Sequence, residues 1–435
     1  MTLRRSRSAA PKWLRFGAWR RCAPLLILLM APALASAQTS QPAFPTAEGF
    51  GRFARGGRGG KVLFVTNLND SGPGSLREAV KTKGPRTILF RVSGTIELKS
   101  GLRVDEPFVT IAGQSAPGDG ICLKNYELYV KTHDAVIRYL RVRPGNGSPG
   151  ERDAITVRDC ENVIVDHCSA SWGVDELLST TGSTNVTVQW CFITEALHRA
   201  GHHKGNHGFG SLIQCKGASY HHNLYAHNRS RNPRPASGEI DFRNNVIYDW
   251  DAMAGYAEGN KQRLNYVGNY LKAGPSTKVH RDKAFHSGGP ETFVYFSGNL
   301  LEGAAGNDAI LNLRNGGHRL PEPFAAPPVK TSSAAEAFDA VLARAGCSLP
   351  KRDPVDARVV EQVRTGGGRQ IDSMNEVGGW PELASAAAPP DGDNDGIPDA
   401  WEREHGLNPA NPADAGKVGA DGYTKLEGYL NALAP

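Results

Sequence analysis

Between residues 162 and 303 one short pattern returns six times: "NVIVDHCSAS", "NVTVQWCFIT", "ASYHHNLYAH", "EIDFRNNVIYDW", "RLNYVGNYLKA" and "TFVYFSGNLLEG". Each copy is an alternating β segment, then a Cys or Asn, then a second apolar pair. The marked residues are Cys168, Cys191, Asn223, Asn245, Asn269 and Asn299, at spacings of 23, 32, 22, 24 and 30. A period in the twenties with variable insertions implies stacked coils, one supersecondary unit per repeat. With no helices between the β runs, the expected fold is all-β, a right-handed parallel β-helix. Identical polar side chains at the same turn of successive coils can hydrogen-bond into a ladder. The four Asn are therefore read as structural. Cys168 and Cys191 share the slot and read as stacked buried thiols, with a disulfide as the lesser alternative.

Such a stack needs its open ends covered. In "NDSGPGSLREAV", Ser75 with Glu78 three residues later is a capping box, which predicts a short helix over 76–82 lying on the first coil. "SSAAEAFDAVLARAG" and "DPVDARVVEQVRTGG" have helical periodicity, polar starts and Gly stops, and are expected on or beside the last coils. "LASAAAPPDG" reads as a linker. The expected organisation is a leader over 1–37, the β-helix over 38–385 with helices from about 333, and a small module over 386–435.

The leader has Arg4, Arg5, Arg7, Lys12, Arg15, Arg20 and Arg21 and no acid before the apolar "APLLILLMAPALA" and a small-residue end at Ala35–Ala37. This is the pattern of a secretory signal peptide, cut after Ala37. The apolar run is shorter than the ~20 residues a membrane span needs. The expected location is therefore secreted or periplasmic, with no membrane association after cleavage. The chain's net charge of +6, less those seven basic residues, leaves −1. That removes the case for nucleic-acid binding. No CxxC pair of zinc type is present, so thiolate–metal chemistry is not expected.

The most complete motif is C-terminal. "DGDNDGIPDAWE" sets Asp391, Asp393, Asp395, Gly396, Asp399 and Glu402 at positions 1, 3, 5, 6, 9 and 12 of a calcium loop. A degraded copy, "KVGADGYTKLEG", keeps only Asp421 and Gly422 of these signals. The module resembles the EF-hand-like or thrombospondin type 3-like calcium repeats appended to many secreted bacterial enzymes.

A second constellation spans the coils. Glu151 and Asp153 in "GERDAITV" lie about one coil before Asp175 and Glu176 in "SWGVDELLS", so their carboxylates can converge. Oxygen-only ligands favour Ca2+ over zinc. A third group is basic: Arg199, His202, His203, Lys204 and His207 in "HRAGHHKGNHGFG", then Arg231 and Arg234 in "SRNPRP". The His-rich run could bind a transition metal or hydrogen-bond a sugar, and the lack of HExxH spacing favours the sugar. Carboxylates with calcium on one side and fixed cations on the other suit a polyanion with a carboxylate on each unit.

"TNLNDSGPGSLREAV", "TIAGQSAPGDGI", "VIRYLRVR", "NVIVDHCSASWGVDE", "HHN" and "SRNPRP" together resemble secreted bacterial pectate lyases of polysaccharide lyase family one, over about Phe44 to Trp380. The resemblance implies calcium-dependent β-elimination of polygalacturonate, the pectate of plant cell walls, by a monomer. It assigns the base to Arg231, thirteen residues before Asn244, and calcium to Asp153 and Asp175, with Glu151 and Glu176 as further ligands. A family acid falls on Ser179 and a second family arginine on Ala236, so Glu176 and Arg234 are the expected substitutes. The substrate-binding lysine falls on Arg199, with Lys204 nearby. Two rivals stand beside this reading. One is a polygalacturonase-like hydrolase using Asp153, Asp175 and Glu176 as its carboxyl pair. The other is a non-catalytic β-helix that grips acidic glycan.

Overall fold

A computed structural model describes residues 41–259, 261–304 and 306–434, so the expected signal peptide lies outside the described residues. The described chain winds through parallel strands that stack into two long sheets and one short one. Every paired strand in the coils runs parallel, and successive coils add to the same sheets in sequence order. This is a parallel β-helix.

The recurring Cys/Asn slot sits where each coil turns from the first long sheet to the second. The residue just before it holds the turn. His167, Trp190, His222, Asn244, Gly268 and Gly298, and Tyr139 before Leu140 one coil earlier, all have φ between 50° and 65°, the left-handed region that reverses a strand sharply. The slot residues then satisfy the backbone groups exposed by the bend. The Asn223 side chain donates to the Asn245 carbonyl oxygen at 2.9 Å, Asn245 to Asn269 at 3.1 Å and Asn269 to Asn299 at 2.9 Å. The same oxygens accept the backbone N–H groups of Asn223, Asn245 and Asn269, and the Asn223 side-chain oxygen accepts that of Cys191. Cys168 and Cys191 occupy the first two rungs as thiols, and the Cys168 N–H points at the Cys191 sulfur. The cysteines of the described residues are free and buried.

Asn245 accepts both the N–H and the side-chain amide of Asn223 inside the core. Asn245→Leu should cost about 1–3 kcal/mol, the usual penalty for leaving buried donors unmade. Urea unfolding would show it as a lower midpoint with unchanged slope.

Three covers close the stack. Helix α1 (Leu76–Lys81), capped by Ser75 accepting from the Glu78 N–H, buries Leu76, Ala79 and Val80 against the first coils. The helices expected on or beside the last coils lie along the flank of the stack. In "FIT", "LYA" and "VIY" the middle residues Ile193, Tyr225 and Ile247 face the core, while Phe192, Leu224, Ala226, Val246 and Tyr248 face outward. A sheet apolar on both faces needs a second partner. Helices α2 (Ala334–Arg344) and α3 (Pro354–Thr365) supply it with Val341, Leu342, Val359, Val360 and Val363. The buried Arg143 guanidinium holds α3 in place through Asp353 and Asp356, at 3.1 and 2.8 Å. The third cover is the C-terminal segment. Helices α4 (Asp399–Glu404) and α5 (Lys425–Leu433) bring Leu426 and Leu430 onto Leu89 and Ala112.

Candidate active site

Register decides what meets on the outer face of the first long sheet. Ile155 pairs with Leu178, so Asp153 and Glu176, each two residues earlier, fall side by side on adjacent coils. Isolated bridges then link Glu176 to Phe209 and Phe209 to Ser230 on the next two coils. One row across four coils therefore reads Asp153, Glu176, Phe209, Ser230, with Asp175 and Arg231 as chain neighbours of its members.

Ligand-capable oxygens of Asp153, Asp175 and Glu176 lie within 4.8 Å of one another. Asp153 is oriented by the Glu176 N–H at 3.1 Å and the Thr156 hydroxyl at 3.3 Å. Burial, and then the like charge of Asp175, raise the Asp153 carboxyl above its ordinary range. Two such groups crowded together favour a shared cation. The Ser179 hydroxyl, at the position of the missing family acid, accepts from the Leu212 N–H.

Arg231 meets this cluster through Glu176, with which it forms an ion pair. Its guanidinium lies over the Phe209 ring, 4.0 Å from the centroid, and its φ of 61° turns the side chain out of the strand line. Burial pulls the Arg231 pKa down, and the nearby Arg234 adds to that fall, while Tyr256 opposes it. Arg234 opens the next strand and lies 5.4 Å from the Tyr256 ring centroid.

Other expected residues are placed elsewhere. Glu151 pairs with His203 and His202, at 2.6 and 3.3 Å, rather than joining the Asp153 triplet. Two histidines contact Asp175: His207 at 2.6 Å and His202 at 3.6 Å, their rings stacked 3.6 Å apart. The His run thus holds an acid of the cluster, a role that residue pattern alone does not separate from sugar binding. Lys204 is exposed on that loop. Arg199 lines an open groove with Asn206, Asp251, Lys278 and Arg369. Arg229 reaches the same groove by donating to the Asn206 carbonyl and pairing with Asp251. Phe209 carried no sequence signal, because a lone aromatic in a glycine-rich loop reads as packing.

At the C-terminus the loop acids gather in two overlapping groups, Asp391, Asp393 and Asp395, and Asp395, Glu402 and Asp414. Asp399, expected as a ligand, turns away. Its carboxylate accepts from the Gly392 N–H at 2.7 Å and from Arg403 at 3.1 Å. A short first helical turn with Arg403 one turn on gives Asp399 better partners than the cluster. Burial and the neighbouring carboxylates push Glu402 up to about 7 and Asp395 up to about 6.

No family model matches the chain. It is similar to "Probable pectate lyase C" of Aspergillus flavus, 40% identical over 411 residues that cover 90% of this chain and 94% of that protein. The protein of the same name from Neosartorya fischeri is 39% identical over 429 residues, 95% of this chain and 98% of that one. The chain belongs to the pectate lyase family. These relatives are fungal, where the motifs alone point toward bacterial enzymes. Among solved structures, a pectate lyase bound to a hexasaccharide superimposes with a TM-score of 0.54 at 15% identity, covering 72% of this chain and 99% of that one. The cedar pollen allergen Jun a 1 gives 0.53 at 21%, covering 69% and 92%. At such identities these two show the fold alone, and it is the pectate lyase β-helix. As a member of this family the chain is a polysaccharide lyase.

Proposed function

We propose that the protein is an exported, calcium-dependent pectate lyase that cleaves polygalacturonate by β-elimination, with Asp153, Asp175 and Glu176 as the cation cluster and Arg231 as the base. The observation that carries this reading is Glu176, shared between the carboxylate cluster and the Arg231 ion pair. It sets the group that would take a proton beside the groups that would hold a cation. Among the described residues no helix is long and apolar enough to cross a membrane.

In β-elimination the C5–H bond breaks, a C4–C5 double bond forms, and the C4 oxygen leaves with its electron pair. Calcium held by the three carboxylates would neutralise the uronate carboxylate and acidify C5. Arg231 would remove the C5 proton, which requires its guanidinium in the neutral form. Its burial and the charge of Arg234 act in that direction, against Tyr256, Asp175 and the Glu176 ion pair, which a cation on the three carboxylates would weaken. Phe209 fixes the guanidinium plane, so the reacting nitrogen is positioned before substrate arrives. Arg234 would hold a neighbouring carboxylate. Arg229, Arg199, Lys278 and Arg369 would carry further units along the groove, and the exposed Lys204 would be a further cation for the substrate. His207 keeps Asp175 oriented.

A hydrolase would need an acid and a base carboxyl set across the scissile bond. Here the carboxyls are drawn together on one side, with arginine beside them, which favours elimination. Incubation with demethylated polygalacturonate should produce ultraviolet absorbance from the unsaturated end, and a chelator should abolish it until calcium is restored. Cleavage without that absorbance would overturn the proposal.

A further inference from the structure

Five carboxylate oxygens of the C-terminal segment are buried with no hydrogen-bond partner: Asp393 Oδ2, Asp395 Oδ2, both oxygens of Glu402, and Asp414 Oδ1. Glu402 is 0% exposed, Asp414 1% and Asp395 4%. Unpaired buried carboxylates are strongly unfavourable unless a cation collects them. Asp414 lies twelve residues beyond the end of the calcium loop, and no loop spacing predicts it. Its Oδ2 accepts from the Asn408 N–H at 3.0 Å, which turns Oδ1 toward Asp395 and Glu402.

The same loop presses on the β-helix. Asp391 pairs with Arg91 of the coils at 2.9 Å. Gly396 has φ +97° and sits so near the coils that a Cβ there would lie 2.6 Å from Leu89 Cδ1. The next residue, Ile397, donates its N–H to Asp395 Oδ1 at 2.8 Å and is fully buried against Leu89, Ala112, Leu426 and Leu430. Whatever fixes the Asp395 carboxylate therefore also fixes the apolar seam.

We propose that Asp393, Asp395, Glu402 and Asp414 enclose one hard divalent cation, and that this ion clasps the C-terminal segment to the flank of the first coils. The all-oxygen set and its four carboxylates select calcium. Asp414 takes the place that loop spacing gives to Asp399. The inference does not depend on the catalytic assignment, because none of these residues lies in the Arg231 site.

The test uses the full chain, stripped with chelator and reloaded with Ca2+. Two readouts are needed: the number of calcium ions bound, and the rate of proteolysis in the 385–390 stretch that leads into the segment. Calcium should slow that cleavage about tenfold in the wild type, as binding to the docked form alone requires. Asp414→Asn should bind one calcium fewer and lose the protection, while turnover at saturating calcium stays unchanged. Asp399→Asn should keep both the ion and the protection. Should Asp414→Asn fail to fold, Glu402→Gln and the chelated wild type give the same comparison. Full stoichiometry and protection in Asp414→Asn would overturn the clasp. So would a wild-type cleavage rate indifferent to calcium, or an equal loss in Asp399→Asn.

Discussion

Arg231→Lys should lower turnover by a factor on the order of 10²–10⁴, the usual contribution of a positioned acid–base group. The charge is kept, so a purely electrostatic role would leave the rate nearly intact. The structure gives Arg231 a placement that lysine cannot copy. Its planar guanidinium covers the Phe209 ring at 4.0 Å while pairing with Glu176. A lysine ammonium is a point charge and cannot stack and fork at once. Arg234 is the control. It lies 5.4 Å from the Tyr256 ring and has no carboxylate of the cluster as a partner. Arg234→Lys should raise KM more than it lowers kcat. Single-turnover rates on polygalacturonate separate the two. A near-normal kcat in Arg231→Lys would make Arg231 a binding residue and move the base elsewhere, with Lys204 the next candidate.

Asp175→Ala should raise the calcium needed for half-maximal activity by at least the 10–100-fold typical of losing a group that supports a metal site. Asp175 is the member of the cluster that also faces His207 and His202. Its loss should leave Asp153 with one less repelling charge, so the raised Asp153 carboxyl should fall toward its ordinary range. The sign of the pH effect follows. In the wild type a raised Asp153 takes up a proton as pH falls toward its pKa, and the proton competes with the cation. The calcium requirement should therefore climb on acidification, and more gently in Asp175→Ala. Calcium titrations of both proteins at two or three pH values would check this, and an unchanged requirement in Asp175→Ala would remove Asp175 from the cation site.

Much of the coil architecture was legible because the Cys/Asn slot is a side-chain signal. The residue before the slot was not. Gly268, Gly298 and Asn244 suit a left-handed turn and His167 and His222 tolerate one, but Tyr139 and Trp190 do not. Only stacking explains them. Tyr139 lies on His167 at 4.8 Å and Trp190 on His222 at 4.3 Å, so ring contacts between coils offset the local cost. The outer helices were legible as helices but not as a flank cover, since that depends on which of two apolar faces in "FIT", "LYA" and "VIY" lacks a partner.

The carboxylates of the candidate site were legible from spacing, because one coil of 23 residues carries Asp153 onto Glu176. Their partners were not. Phe209 and His207 reach the cluster from a loop whose path no periodicity describes. Asp414 likewise sits outside the calcium loop and meets Glu402 only after the segment folds back on itself. The C-terminal segment also read as a small module behind a linker, and Ala384 of that linker is bonded to Ser93 and Asp119 of the coils. Residues that act through tertiary contact leave little trace in sequence.

The central claim is elimination rather than hydrolysis, and product analysis in isotopically labelled water tests it most directly. Hydrolysis builds a water oxygen into the new reducing end, whereas elimination breaks the C4–oxygen bond and takes up no water. Mass spectrometry of oligogalacturonides released from polygalacturonate in oxygen-labelled water, sampled before the reducing-end hemiacetal exchanges its oxygen with solvent, should show unlabelled products with an unsaturated end. Labelled, saturated products would contradict the assignment of Arg231 and its carboxylate cluster to a lyase.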